Sequence, residues 1–160
     1  MKRPFYFFIA FALFLSSCNP DDEDKEDHIS VNQEAFLANT ADIIIVPAYA
    51  ELNASVHELQ TSIKAFAPNL TSANLNDVQS KLKTAYLNWQ KVSHFEFGPA
   101  ETVGLRSSVN IFPVDETQVE SNVSSGTANL DALSNKLAKG FPALDYLLHE
   151  SDDSTLLAKF

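Results

Sequence analysis

Apolar residues recur at spacings of three and four from Leu37 through Ala41, Ile45, Ala48, Leu52, Val56, Leu59 and Ile63 to Phe66. That spacing keeps side chains on one face of an α-helix and predicts a single long helix over Val31–Ala67. Glu51, Ser55, Glu58 and Ser62 form a polar stripe beside it. Pro47 interrupts the pattern just after Ile43-Ile44-Ile45-Val46. Proline lacks the N–H that an internal helical residue donates, so the helix should kink or split there. Pro68 and Asn69 close it. A second helix is predicted from the capping candidates Thr71, Ser72 and Asn74 to about Phe95, with Val78, Leu82, Ala85, Trp89 and Val92 as its apolar stripe. Trp89 and Tyr86 read as core. One more step along the stripe reaches Glu96, a carboxylate on the inner face at a helix end. Burying it unpaired would be costly, so it is expected to have a partner.

The next stretch, Gly98 to Val114, has no strong periodicity and contains Pro99, Gly104 and Pro113. Connections of that length inside a small domain are uncommon and are often functional. It holds Arg106, the only arginine after Arg3. Asp115 and Gln118 fit a capping box for a short helix to Val123, which Ser124-Ser125-Gly126 ends. Thr127 then caps a predicted helix through Leu130, Leu133 and Leu137 to Gly140, read as a left-handed helix stop. Pro142 suits the first turn of a last helix. Phe141, Leu144 and Leu148 share one face of it, and Asp145 lies near its positive end. The elements predict an all-α fold: an up-and-down bundle with a kinked first long helix and an irregular loop after the second.

Composition narrows the class. An apolar content of 45% is ordinary for one globular domain, and four glycines argue against a turn-rich β fold. Lys2, Arg3 and the apolar run Phe5–Leu15 have the pattern of a secretory signal, too short to span a bilayer. Leu15-Ser16-Ser17-Cys18 resembles a lipobox, which implies cleavage after Ser17 and lipid, palmitate among it, on Cys18. The organisation expected is therefore a lipoprotein signal peptide over residues 1–17, lipidated Cys18 with an acidic tether over 18–30, and a helical domain over 31–160. Charge repulsion keeps the run Asn19–Asp27 extended. It also resembles acidic signals that send lipoproteins to the outer face of the outer membrane. The expected location is the cell envelope, on the outer membrane and surface-exposed, with the membrane as partner through Cys18. The formal charge of −10 becomes −12 once Lys2 and Arg3 leave, 9 basic residues against 21 acidic. Such a surface repels phosphate backbones and excludes nucleic acid. A single cysteine excludes an internal disulfide and a cysteine-based zinc site.

The candidate chemistry rests on Glu96, Arg106 and Asp145 as putative binding residues, with His94 and His149 in support. In one reading His94, Glu96 and Asp145 hold iron or another divalent metal. In the other, the planar Arg106 guanidinium pairs with Glu96 or Asp145 and ties the long loop to the helices. His57 shares a solvated face with Asn53, Gln60 and Lys64, and His28 lies in the tether. His149 and Glu150 are adjacent and so point in different directions on a helix. No phosphate-binding glycine loop, His-Glu-x-x-His run or nucleophile elbow occurs.

The run Gly140-Phe141-Pro142-Ala143-Leu144-Asp145 resembles the Gly-x-His-x-x-Glu signature of imelysin-like proteins, bacterial envelope proteins often linked to iron. His94-Phe95-Glu96-Phe97-Gly98-Pro99 and Leu105–Pro113 are similar to the family as well. The motif positions are Gly140, Pro142 and Asp145. Glycine is kept, whereas histidine is replaced by Pro142, which has no donor atom, and glutamate by Asp145. The resemblance implies a binding or accessory component of iron acquisition with an iron-uptake partner in the envelope. It implies as alternatives an imelysin-type metallopeptidase, against which Pro142 speaks, or an inactive truncated half. Imelysin-like proteins are usually longer, two related helical bundles, so residues 31–160 correspond to the first.

Overall fold

Two antiparallel helices form the frame, and the computed structural model describes them within residues 32–160. The signal segment, Cys18, the acidic tether and His28 lie outside the described residues. Contacts divide the chain after Phe36, and Leu37–Phe160 is the unit that carries the fold. In the preceding unit, the Asn32 side chain accepts from the Ala35 N–H at 3.1 Å. The first helix comes in three pieces: α1 (Gln33–Thr40), a π-helical segment (Ala41–Ile45) and α2 (Val46–Phe66). The break lies one residue before Pro47, which occupies the first turn of α2. With no Pro47 N–H to continue the regular ladder, the chain widens by one residue, and the Val46 N–H reaches back to the Ala41 carbonyl.

Helix α3 (Ser72–Val92) runs back along α2, and Thr71 caps it by accepting from the Asn74 N–H. Its predicted stripe is buried in full, with Leu75 added. Paired contacts set the antiparallel register: Lys91 with Glu51 at 2.7 Å, Lys81 with Glu58 at 2.8 Å, and Ser62 with Asp77 at 2.6 Å. The buried face of α2 differs from the apolar stripe. Ser55 and Ser62 are buried, whereas Val56 is 41% exposed and Leu37 65%. Small hydroxyls let the two helices approach. Ser55 donates to the Leu52 carbonyl and Ser62 to the Asp77 carboxylate, so neither is left unsatisfied.

After α3 the irregular stretch folds into two short helices, α4 (Pro99–Thr102) and α5 (Leu105–Val109). Helix α6 (Glu116–Ser125) is capped by Asp115, which accepts from the Gln118 N–H at 2.9 Å. The Gln118 side chain bonds Asn122 at 3.0 Å, so only one arm of the expected box forms. The helix predicted from Thr127 to Gly140 is absent. Only a 3-10 turn, Leu133–Asn135, forms there, and Leu133 is 85% exposed. Asparagine side chains take the backbone partners a helix would use: Asn129 accepts from the Asp131 N–H, and Asn135 donates to the Asn129 carbonyl.

Gly140 therefore closes no helix. It opens α7 (Gly140–His149), with Pro142 in the first turn, and it adopts φ +80°. The predicted last helix is two elements, because Asp152 caps a separate α8 (Asp153–Lys159). Phe141 and Leu148 of α7 and Leu156 of α8 join Leu59, Phe66 and the α3 stripe in one core. No strand occurs among the described residues, and the protein is an all-α helical bundle.

Candidate functional site

The end of α3 and the start of α5 are joined through Arg106. Its backbone N–H donates to Glu96 Oε1 at 2.9 Å, and its Nε lies 3.2 Å from Glu96 Oε2. Its outer nitrogen also donates to the Ser93 carbonyl. Helix α3 ends at Val92, so Glu96 sits in the following loop rather than on the inner helix face. Its two oxygens are occupied by one arginine, and it is the residue that fixes the irregular stretch to the bundle. Tyr49 donates to the Phe95 carbonyl at 3.1 Å. Burial, and then the Glu96 charge, push its phenol above the ordinary range. His94 packs on the Phe95 ring, with centroids 3.9 Å apart.

Asp145 belongs to a different place. It projects from α7 beyond the first turn, with its carboxylate 3.1 Å from His149 Nδ1 one turn later. Together they edge a cavity of about 350 Å³ between α3 and α7, shared with Leu82, Lys83, Tyr86, Leu87 and Gln90. Tyr86 stacks on Phe141, centroids 5.0 Å apart, and its hydroxyl donates to Asn110 Oδ1 at 3.0 Å. Burial raises its pKa first and the Asp145 charge adds to it, while the Asn110 hydrogen bond opposes both. The structure thus brings Glu96 to Arg106 and Asp145 to His149, two separate pairs. Of the three motif positions, Pro142 is buried and Gly140 is committed to the backbone. Only Asp145 lines the cavity.

No group of three or more His, Cys, Asp or Glu able to hold a metal gathers among the described residues. The Asp145–His149 pair supplies two donors and Pro142 none, so the chain's own residues do not fit a closed three-ligand centre. What the cavity can do is bind a polar or cationic group against a carboxylate, an imidazole, a phenol and an amide, with Lys83 as counter-charge.

A third cluster has no signal in the sequence, because its members are far apart along the chain. Lys159 of α8 donates to both Glu120 of α6 and Glu150. Its ammonium also lies 5.7 Å from the centre of the Tyr146 ring. Tyr146 is pushed well above the ordinary phenol range, most by its hydrogen bond to Glu150. Glu150 is lowered by its hydrogen bond to Lys159. Asp152 is lowered to about 2, chiefly by the Ser154 and Thr155 hydroxyls. Depressed carboxylates contribute stability above their unfolded values and lose it as the pH falls through the folded ones. The thermal midpoint should therefore fall between about pH 4 and 2. Asp152→Asn, which can still cap but cannot titrate there, should flatten that fall. Melts followed by circular dichroism at stepped pH test this, and identical slopes for the two proteins would contradict it.

A model of the imelysin family matches residues 45–159. The chain belongs to the imelysin family. The match covers α2 to α8 with both candidate clusters. The chain is also 24% identical over 115 residues to iron-regulated protein A of Synechococcus elongatus. That similarity covers 72% of this chain and 31% of the relative, so this imelysin chain spans about a third of the length of the relative it matches. No solved structure matches it.

Proposed function

We propose that this imelysin-family chain is a lipid-anchored protein of the cell envelope that serves iron acquisition as a binding or accessory component. The observation that carries the reading is the similarity to an iron-regulated protein within a family match over most of the folded domain. The Leu15–Cys18 lipobox and the acidic run after it support attachment to the outer membrane, with the domain facing outward. The α3–α7 cavity is the binding face, because it combines a motif position, Asp145, with the polar side chains of His149, Lys83, Tyr86 and Gln90. Glu96 and Arg106 pair with each other and hold the loop to the bundle.

Three measurements test the reading. An alkyne analogue of palmitate should label the wild type and not Cys18→Ala; unlabelled wild type would sink the anchor. Titration calorimetry with ferrous, ferric and zinc ions should show only weak binding, limited to the two donors Asp145 and His149, that Asp145→Ala and His149→Ala each weaken about tenfold. Unchanged binding in both variants would remove the cavity from consideration. Deletion of the gene should slow growth under iron chelation, and growth equal to the parent's would separate the protein from iron.

A further inference from the structure

The four-residue run Ile43-Ile44-Ile45-Val46 cannot be hidden on one helix face, since consecutive residues point about 100° apart around the axis. In the structure Ile43 is 71% exposed, Ile44 53% and Val46 60%, and Leu37 beside them is exposed as well. The main contacts of the π-helical segment are with its own continuation, α2. Contiguous apolar surface of this kind on a soluble domain marks an interaction site. Wide helical turns also recur at functional sites.

We propose that Leu37, Ile43, Ile44 and Val46 form a second membrane contact, entering the acyl region of the lipid layer to which Cys18 is attached. The proposal rests on the lipoprotein reading above. Three observations select lipid as the occupant. Between Ala35 and Ala50 the only charged residue is Asp42, so little charge must be moved towards the bilayer. The patch is tethered within reach of the anchor, because Asn19–Val31 can span at most about 45 Å fully extended and residues 32–43 add roughly 20 Å as helix. Attachment through Cys18 therefore holds the patch at high local concentration beside the bilayer, and weak apolar affinity is then enough for engagement. By contrast, a second copy would have to bring together two chains that each carry a charge of about −12, which opposes self-association. The helical run Gln33–Phe66 is long and apolar enough to cross a membrane by length and composition. Burial of Leu59, Ser62 and Phe66 against α3 keeps its second half in the domain, which leaves the first half to lie in the interface.

The test uses full-length protein reconstituted into neutral phosphatidylcholine vesicles. A nitrobenzoxadiazole label is placed at Ile44→Cys or, as a control on the exposed loop, at Val103→Cys. Acylated Cys18 cannot take the label, so the introduced thiol is the single target. The label at position 44 should shift to the blue and be quenched by doxyl lipid at least fivefold more than the label at 103. Equal quenching at both positions in acylated protein overturns the proposal while leaving the anchor intact. The mass of the N-terminal peptide reports acylation independently. If acyl chains are missing, vesicle sedimentation of unlabelled protein decides instead. Binding that Ile43→Ser with Ile44→Ser weakens about tenfold supports the patch, and no binding by the wild type at millimolar lipid, the order of local concentration the anchor would supply, overturns it. A blue shift without vesicles, together with a doubled mass in light scattering, also overturns it and makes the surface a self-interface.

Discussion

Gly140→Ala should cost about 3 kcal/mol of stability, the sum of a left-handed backbone penalty of about 1–2 and an overlap penalty of similar size. Gly140 adopts φ +80°, and a Cβ there would lie 2.3 Å from the Val109 carbonyl oxygen and 2.6 Å from its carbon. Those atoms are backbone at the end of α5, so they cannot rotate away as a side-chain tip would. Relief requires α5 and α7 to separate, and α7 carries Phe141 and Leu148 into the core. It also carries Asp145 and His149, so the variant should lose cavity geometry along with stability. Gly126→Ala is the internal control. Gly126 has φ +63°, but a Cβ would meet nothing within 4 Å, so only the backbone penalty applies. Urea unfolding followed by circular dichroism should rank the wild type above Gly126→Ala and Gly126→Ala above Gly140→Ala. Equal losses in the two variants would mean that Val109 does not press on Gly140.

Trp89→Ala should be more damaging still, at about 3–5 kcal/mol, the usual range for deleting a buried tryptophan. Trp89 is 2% exposed, and its ring lies 6.3 Å from that of Phe141 at a 34° tilt. It thereby couples α3 to α7 at the centre of the core. A loss of that size is a large share of the stability of a domain this small. Trp89→Phe separates volume from polarity. The indole Nε1 is buried without a hydrogen-bond partner, so phenylalanine removes a polar group that gains nothing from the fold. It should lose less than half of what alanine loses. A loss equal to alanine's would contradict an unpartnered N–H.

The two helices that frame the domain were legible because each satisfies one simple rule. The α3 stripe from Val78 to Val92 repeats at helical spacing without a rival pattern, and all five positions are buried. The Thr71 and Asp115 caps form as their side-chain chemistry requires. Pro47 was legible as a disruption, though not as the π-helical turn that absorbs it. Reading failed where two local preferences compete. Leucine spacing from Leu130 to Leu137 favours a helix, yet Asn129 and Asn135 bond the backbone themselves and win, because Leu133 finds nothing to pack against. Gly140 looked like a stop for that helix; glycine is instead required where α7 opens, at a positive φ and with no room for a Cβ against Val109.

Of the candidate residues, Arg106 needed a carboxylate, and sequence left Glu96 and Asp145 equally open. The order of the chain after Phe95 brings Glu96 to it, and Asp145 turns to His149 four residues on. By itself the sequence determined the helical class, the long helices with their caps, the family signature around Gly140 and the acidic character of the chain. These depend on periodicity and local chemistry, which act over a few residues. Only the tertiary structure decided that Ser55 and Ser62 are buried while Leu37, Ile43 and Ile44 are not. It alone separated Glu96 from Asp145 and joined Lys159 to Glu120 and Glu150. Each depends on which surfaces meet across long sequence separations, and that follows from the packing of whole helices rather than from any short stretch of chain.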